Sequence, residues 1–266
     1  MTGGTEQAHR ASPGRTSDPT SSDRVEAPGA AIEAATWRPL ETAEVDGWTL
    51  GFAGGFTRRA NSVLPTRAPA EPEAALERVE AAYAARGLPT VVRVDADAQP
   101  PDLDRVLAAR GYASVATTLV MVGTPDLGEG IDVVGTVDVA EVPDDDWLAG
   151  WLDVKAAGRG VDASVARAVV TGSPALYLTA RDESGVVGVA RAGLSGQWVG
   201  LSCLMVAPRA RRRGVARSLS ACALAAAEAR AASRVFLQVE ASNRAAVSLY
   251  ESLGLTVADT YHYQQR

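Results

Sequence analysis

In the second half of the chain the apolar positions change period at Pro208. Before it, three runs at 175–181, 186–194 and 198–206 carry strand patterns. They are joined by the short polar turns Asp182-Glu183-Ser184-Gly185 and Ser195-Gly196-Gln197, so the pattern predicts an antiparallel meander. After Pro208, Val215, Leu219, Cys222, Ala223 and Ala226 recur at helical spacing, predicting a helix from about 214 to 232. A strand at 235–239 follows. Ser242 or Asn243 then caps a helix with the stripe Ala246, Leu249, Tyr250 and Leu253, and Gly254 stands where a left-handed residue would end it. A last strand region runs through Tyr261 and Tyr263. Upstream, the pattern predicts a strand at 131–137 and helices at about 144–157 and 163–170.

This order of elements occurs twice. Pro65 and Pro208 are 143 residues apart, and so are Gly111 and Gly254. The same shift places Val63 on Val206, Leu76 on Leu219, Val92 on Val235, Val94 on Leu237 and Val106 on Leu249, with no gap. Strand–Pro–helix–strand–helix–Gly therefore repeats, and the chain reads as two copies of one α/β fold in tandem. The copies differ at the turn after the proline. Arg211, Gly214 and Ala216 correspond to Ala68, Glu71 and Glu73, while Asn243 and Tyr250 correspond to Pro100 and Leu107.

Composition adds the boundaries. Residues 1–35 are rich in Ser, Thr, Pro and Gly and poor in large apolar side chains, so they read as a disordered tail with order beginning near Trp37. The turn-rich stretch 123–130 separates a first unit at 36–124 from a second at 130–266. Across the chain, 47% of residues are hydrophobic and 22% charged, as in a soluble globular protein with a real core. No apolar run approaches the roughly 20 residues that cross a bilayer, and the first 35 lack a secretory apolar core. A cytoplasmic protein with no membrane partner is expected. The net charge of −6 argues against a general nucleic-acid binder. Cys203 and Cys222 both lie in apolar segments, which favours reduced thiols over a disulfide or a metal site. His9 and His262 are the only histidines, too few to support zinc hydrolysis or a Ser-His-Asp arrangement.

The chemistry concentrates in the turn from 207 to 213. The first backbone N–H groups of a helix have no internal partner, and the helix dipole adds partial positive charge there. Gly214 and Ala216 keep that end bare, and Arg211, Arg212, Arg213 and Arg217 surround it with guanidinium groups. By itself such a turn could be a solvated basic turn, a local nucleic-acid patch or a phosphate cradle; its place after the meander and before helix, strand and a second capped helix favours the phosphate cradle.

With these residues on the page, the second half resembles the GNAT superfamily of acyl-CoA-dependent N-acyltransferases. The resemblance rests on Leu204-Met205-Val206-x-Pro208, on Arg211-x-x-Gly214-x-Ala216, and on Asn243-x-x-Ala246-x-x-Leu249-Tyr250-Glu251-x-Leu253-Gly254. The last stretch is similar to that of ribosomal-protein alanine acetyltransferases and of mycothiol synthase. The first half, through Gly54-Gly55-Phe56-Thr57-x-Arg59-x-Asn61-Ser62, resembles bacterial tandem N-acetyltransferases. The implied fold is two mixed-sheet units in tandem, each mainly an antiparallel meander with flanking helices, the first degenerate.

The resemblance also implies a site. Backbone groups of Leu204, Met205 and Val206 would pair with the pantetheine arm of acetyl-CoA, with one N–H polarising the thioester carbonyl. Residues Arg211, Arg212, Arg213, Gly214, Val215, Ala216 and Arg217 would hold the pyrophosphate, and Asn243 would touch the cofactor. Tyr250 would protonate the departing thiolate while an amine attacks directly. Alanine acetyltransferases carry a Glu five residues before the Asn; here that position is Gln238, and Glu240, two residues on and on the same strand face, is the candidate base through a water. Cys203 reads as packing rather than as a nucleophile. Arg59 and Asn61 are candidates to line an acceptor pocket between the halves. The expected acceptor is a small-molecule amine or a protein N-terminus, the expected state a monomer or homodimer, and no metal is called for. A non-catalytic acyl-CoA-binding regulator is the alternative reading, favoured by Gln238.

Overall fold

The computed structural model describes residues 26–125, 134–155 and 162–266. The stretches 1–25, 126–133 and 156–161, which take in most of the expected tail, much of the expected link and the end of the expected helix at 144–157, lie outside the described residues. One eleven-stranded sheet runs through both halves in the order β1-β2-β3-β4-β11-β5-β10-β9-β8-β7-β6. The first half supplies β1 (Glu41–Val45), β2 (Trp48–Phe52), β3 (Val63–Leu64), β4 (Val91–Val94) and β5 (Ala113–Gly123). The second supplies β6 (Thr136–Ala140), β7 (Ala175–Asp182), β8 (Gly185–Ser195), β9 (Trp198–Val206), β10 (Arg234–Glu240) and β11 (Thr256–Gln265). Among the described residues no helix is long and apolar enough to cross a membrane.

The 143-residue shift holds in three dimensions. Helix α2 (Pro72–Ala84) matches α6 (Val215–Glu228), and α3 (Leu103–Ala109) matches α7 (Arg244–Glu251). Leu76 and Leu219 are both fully buried, as are Val92 and Val235. Gly111 and Gly254 both adopt left-handed φ, at 88° and 81°. A side chain there would strain the turn that ends each helix.

The copies also exchange their last strands. β5, from the first copy, pairs with β10 of the second, and β11, from the second, pairs with β4 of the first. β5 and β11 pair antiparallel at the centre, and their register maps onto itself under the shift. Val122↔Thr256 becomes Gln265↔Ala113, Met121↔Val257 becomes Gln264↔Ser114, and Thr118↔Tyr261 maps onto itself. A local two-fold axis therefore passes through the Thr118–Tyr261 pair. The flanking registers depart from this symmetry by two residues. The pair Val94↔His262 would map to Leu237↔Leu119, whereas Leu237 faces Met121. An even slip keeps every side chain on its own face.

Apolar side chains fill both faces. α6 and α7 pack with Leu219, Leu224, Val247 and Tyr250 against Leu237 and Val239, and the first copy has an equivalent core around Trp48, Leu76 and Leu107. On the opposite face, helices α4 (Asp145–Lys155) and α5 (Ala163–Thr171) join the first copy's Trp37 and Phe56 in an aromatic cluster. Phe56 and Trp147 both meet Trp151 there, with centroids 5.4 and 5.7 Å away.

The expected tail through residue 35 is corrected at its end. Ala30–Thr36 form helix α1, with Glu33 and Thr36 buried. Its Ala-rich sequence has high helix propensity, and the sheet offers it a bare surface. At Gly193 and Gly200 a Cβ would come within 3.0 Å of the Thr36 backbone oxygen and 2.9 Å of the Thr36 Oγ1, so two glycines let the helix end lie directly on β8 and β9. Arg191, only 1% exposed, fastens it: Nη1 donates to the Thr36 carbonyl, Nε to Val170 and Nη2 to Ser173.

Candidate active site

The sheet opens between β9 and β10. These strands run parallel from Arg234↔Trp198 to Leu237↔Leu201, and the pairing ends there. Beyond that point Ser202–Val206 pair only with β8, leaving the edge toward β10 without a strand. A bulge helps to part them. The β8–β9 register shifts between Val189↔Met205 and Arg191↔Ser202, and Cys203 within it has a φ of 55°. An extra residue bends a strand and re-aims its N–H and C=O groups. Ser202 Oγ, at the parting point, is buried without a hydrogen-bond partner among the described residues. Leu204, Met205 and Val206 are half-buried along the open edge.

The same strand leads into the basic turn. Pro208–Ala210 form one 3-10 turn, and Gly214 caps α6 from a left-handed conformation with φ 83° and ψ −5°. No side chain caps that end, so the first N–H groups of α6 point outward. Arg211, Arg212 and Arg213 are exposed around it. Arg211 Nε folds back on the Val206 carbonyl at 3.3 Å, and Arg217 holds Ser252 beyond α7 at 3.1 Å. Arg209 serves the fold, donating to the Val186 carbonyl at 2.9 Å. The first copy lacks this geometry. Its N-cap is Glu71 in an extended conformation with φ −124°, and the next residue, Pro72, has no N–H to offer. A cavity of about 240 Å³ beside β3 and β4 of that copy is lined by Asp95 and Asp97, which the 143-residue shift places at Gln238 and Glu240.

α7 begins at Asn243, whose Oδ1 accepts from the Ala246 N–H at 3.2 Å. Tyr250 lies on the buried stripe of that helix, and burial pushes its hydroxyl up to about 12. It packs in the core shared with Leu237 and Val239, on the α6–α7 side of β10.

Side chains alternate along a strand, so Gln238 and Glu240 face the other side. There the first copy meets them. Arg59 Nη1 donates to Gln238 Oε1, and Arg58 reaches Glu240 at 3.4 Å. Arg59 also lies over the Trp37 ring, 4.5 Å from its centroid. Glu240 sits on the exposed rim. Gln238 Nε2 donates to the carboxylate of Glu33 on α1. Asn61 does not line this opening. Its Oδ1 accepts from the Ala53 and Gly55 N–H groups and its Nδ2 donates to Phe56 and Thr57, so it holds the Gly54-Gly55 turn together. Glu33 and Arg58 were absent from the sequence reading; the Ala-rich run at 30–35 was the signal for the first, and nothing local marked the second.

The opening thus has one face of backbone donors, guanidinium groups and a buried tyrosine, and an opposite face of carboxylate, amide and arginine. Comparison with known proteins bears on the fold and the family. A protein of Bacillus subtilis described as "Uncharacterized N-acetyltransferase YobR" is 26% identical over 242 residues, covering 88% of this chain and 95% of its own. The structure of a GCN5-related N-acetyltransferase from Kribbella flavida superposes with a TM-score of 0.66 at 18% identity, over 89% of this chain and 93% of that one. A tandem GNAT protein from the clavulanic acid biosynthesis pathway gives 0.59 at 15% identity, over 73% and 69% of the two chains. These likenesses show the fold. Residues 26–264 match the family described as "Probable histone acetyltransferase Rv0428c C-terminal", and the chain belongs to that family of GNAT-type N-acetyltransferases.

Proposed function

We propose that this acyltransferase moves an acetyl group from acetyl-CoA to a primary amine by direct attack, with 130–266 as the catalytic unit and 36–124 as its scaffold and acceptor wall. The observation that carries the proposal is the continuity of two features. The sheet parts after Leu237↔Leu201, and the freed strand runs straight to an uncapped helix end at left-handed Gly214. A linear molecule with a peptide-like arm and a pyrophosphate fits that path. Its arm adds to the open edge of Leu204, Met205 and Val206, and its phosphates meet the N–H groups of Val215, Ala216 and Arg217 and the guanidinium groups of Arg211, Arg212 and Arg213. Asn243, at the start of α7, borders the same opening. Tyr250 gives its proton to the leaving sulfur, and burial keeps that hydroxyl protonated at working pH. Glu240, expected from the sequence as the base through a water, is paired with Arg58 on the exposed rim, and in this proposal it meets the acceptor as it enters. The acceptor is a small amine or a protein N-terminus approaching from the α1 side.

The test is thiol release from acetyl-CoA by the purified protein with a panel of amines: spermidine, tryptamine, L-lysine, kanamycin and an N-terminal alanyl peptide. Release with at least one amine is expected. Gly214→Glu should weaken acetyl-CoA about 100-fold, because it puts a carboxylate beside the pyrophosphate and forces a side chain into left-handed φ. Its Cβ would also stand 3.3 Å from Val134 Cγ2. Unaltered affinity in that variant, or no release with any amine, would overturn the assignment.

A further inference from the structure

Helix α1 brings to the sheet centre a carboxylate that the steps above leave unused. Glu33 is 2% exposed. Its Oε2 accepts from Arg93 Nη1 at 2.5 Å and from Gln238 Nε2. Its Oε1 is also buried and has no hydrogen-bond partner among the described residues. A carboxylate accepts up to about four hydrogen bonds, and leaving one of its oxygens buried and bare is costly. An orphaned buried oxygen in a native fold calls for an explanation, and a catalytic role is one.

The position of Glu33 says which stage. Gln238 is the first residue of β10 beyond the last pair with β9, so its partner Glu33 lies one side chain from the opening. It lies on the face opposite Tyr250. Acyl transfer to an amine needs two proton transfers at opposite ends of one reacting carbon, one to the sulfur that leaves and one from the nitrogen that arrives. We propose that Glu33 is the proton acceptor for the incoming amine, with Oε1 reached directly or through one water.

The step balances as follows. The amine lone pair forms the C–N bond at the thioester carbon, and the extra proton on nitrogen passes to Glu33 Oε1. The C–S bond breaks as sulfur takes the Tyr250 proton. Glu33 then gives its proton to solvent and Tyr250 regains one, leaving amide and free thiol. Glu33 bonds Arg93 on β4 and the neutral Gln238 on β10. The charged and titratable groups around that pair are Asp95, just after β4, and Tyr261, both against Arg93, with Tyr263 against Tyr261, Arg59 against Gln238, and Arg58 paired with Glu240 on the rim. Arg93 divides its charge between Glu33 and Asp95, lies 3.9 Å over the Tyr261 ring, and stays protonated because those partners outweigh the burial that opposes its charge. Burial holds Tyr263 neutral.

The inference rests on the acetyl-transfer reading, and wild-type thiol release separates the two. With the fastest amine of the panel, Glu33→Gln should lower kcat/KM about 100-fold, with acetyl-CoA affinity within threefold of wild type. Glu33→Gln with Gln238→Glu returns a carboxylate one hydrogen bond away and should recover at least tenfold. Near-UV circular dichroism verifies that both variants fold. A folded Glu33→Gln chain within threefold of the wild-type rate would overturn the inference alone, and so would a double variant no faster than the single one. A wild type that releases no thiol would overturn both.

Discussion

Replacing Arg191 by Met tests how the N-terminal helix is held against the site. Arg191 has no carboxylate partner among its hydrogen bonds; its guanidinium donates to the carbonyls of Val170, Thr36 and Ser173 at 2.8, 2.9 and 3.2 Å and to Ser173 Oγ at 2.8 Å. Two of these acceptors lie at helix C-termini, Thr36 ending α1 and Val170 in the last turn of α5. Exposed carbonyls and the helix dipole both favour a cation there. A charged donor to a buried carbonyl contributes about 1.5–3 kcal/mol, so three such groups represent several kcal/mol. Part of that is offset. Tyr177 still donates to Val170 at 2.7 Å, Ser173 still donates to Thr36 at 2.9 Å, and a buried charge is removed. Methionine fills most of the volume, so the net loss should be about 3 kcal/mol, or roughly 6–12 °C in Tm for a chain of this size. Differential scanning calorimetry reads the shift. Turnover should fall as well, because Thr36 is one helical turn from Glu33, while acetyl-CoA affinity, set at α6, should stay within threefold. A Tm within 2 °C of wild type, or a loss confined to acetyl-CoA binding, would refute the reasoning (about 2 °C being less than 1 kcal/mol).

Two further outcomes follow from the same geometry. Tyr250→Phe should lower turnover at nearly unchanged acetyl-CoA affinity. Because burial raises this hydroxyl to about 12, the loss should be one constant factor between about pH 7 and 10, and a pH-rate profile that converges with wild type would remove Tyr250 from the proton transfer. Chains carrying only 1–125 or only 126–266 should fail to fold alone, since β5 pairs with β10 and β11 with β4, and should assemble when co-expressed. A cooperative thermal transition in either half by itself would contradict that dependence.

What the sequence disclosed depended on whether the signal was local. β9 spans Trp198–Val206, the run its apolar pattern marked, and Gly254 has the left-handed φ that its place after a helix demanded. The repeat was legible because Pro and Gly anchor backbone geometry wherever they stand, and the helices and strands after Pro65 and Pro208 keep their spacing. Which strand lies beside which was not legible. A period-two pattern says which side chains share a face, not whose edge they meet, so the exchange of β5 and β11 left no mark. The site divided in the same way. The turn proposed for phosphate is a contiguous motif, whereas the proposed acceptor face joins Glu33, Arg59 and Gln238 across 205 residues of chain. Residues 1–35 read as a tail because Ser, Pro and Gly dominate their average, and a helix of about two turns at the end was lost in it.

The self-symmetric register through Thr118 and Tyr261 has a consequence for how such a chain diverges. Two identical subunits that each lent a final strand to the other would form the same central sheet, and any substitution would then strike both openings at once. Within one polypeptide the openings are separate loci. Glu71 and Pro72 can stand at the first turn while Gly214 and Val215 keep the second, and Arg58 and Arg59 can face an opening that is not their own. The lent strands also tie the two copies together: each completes its neighbour's sheet, whatever chemistry either opening retains.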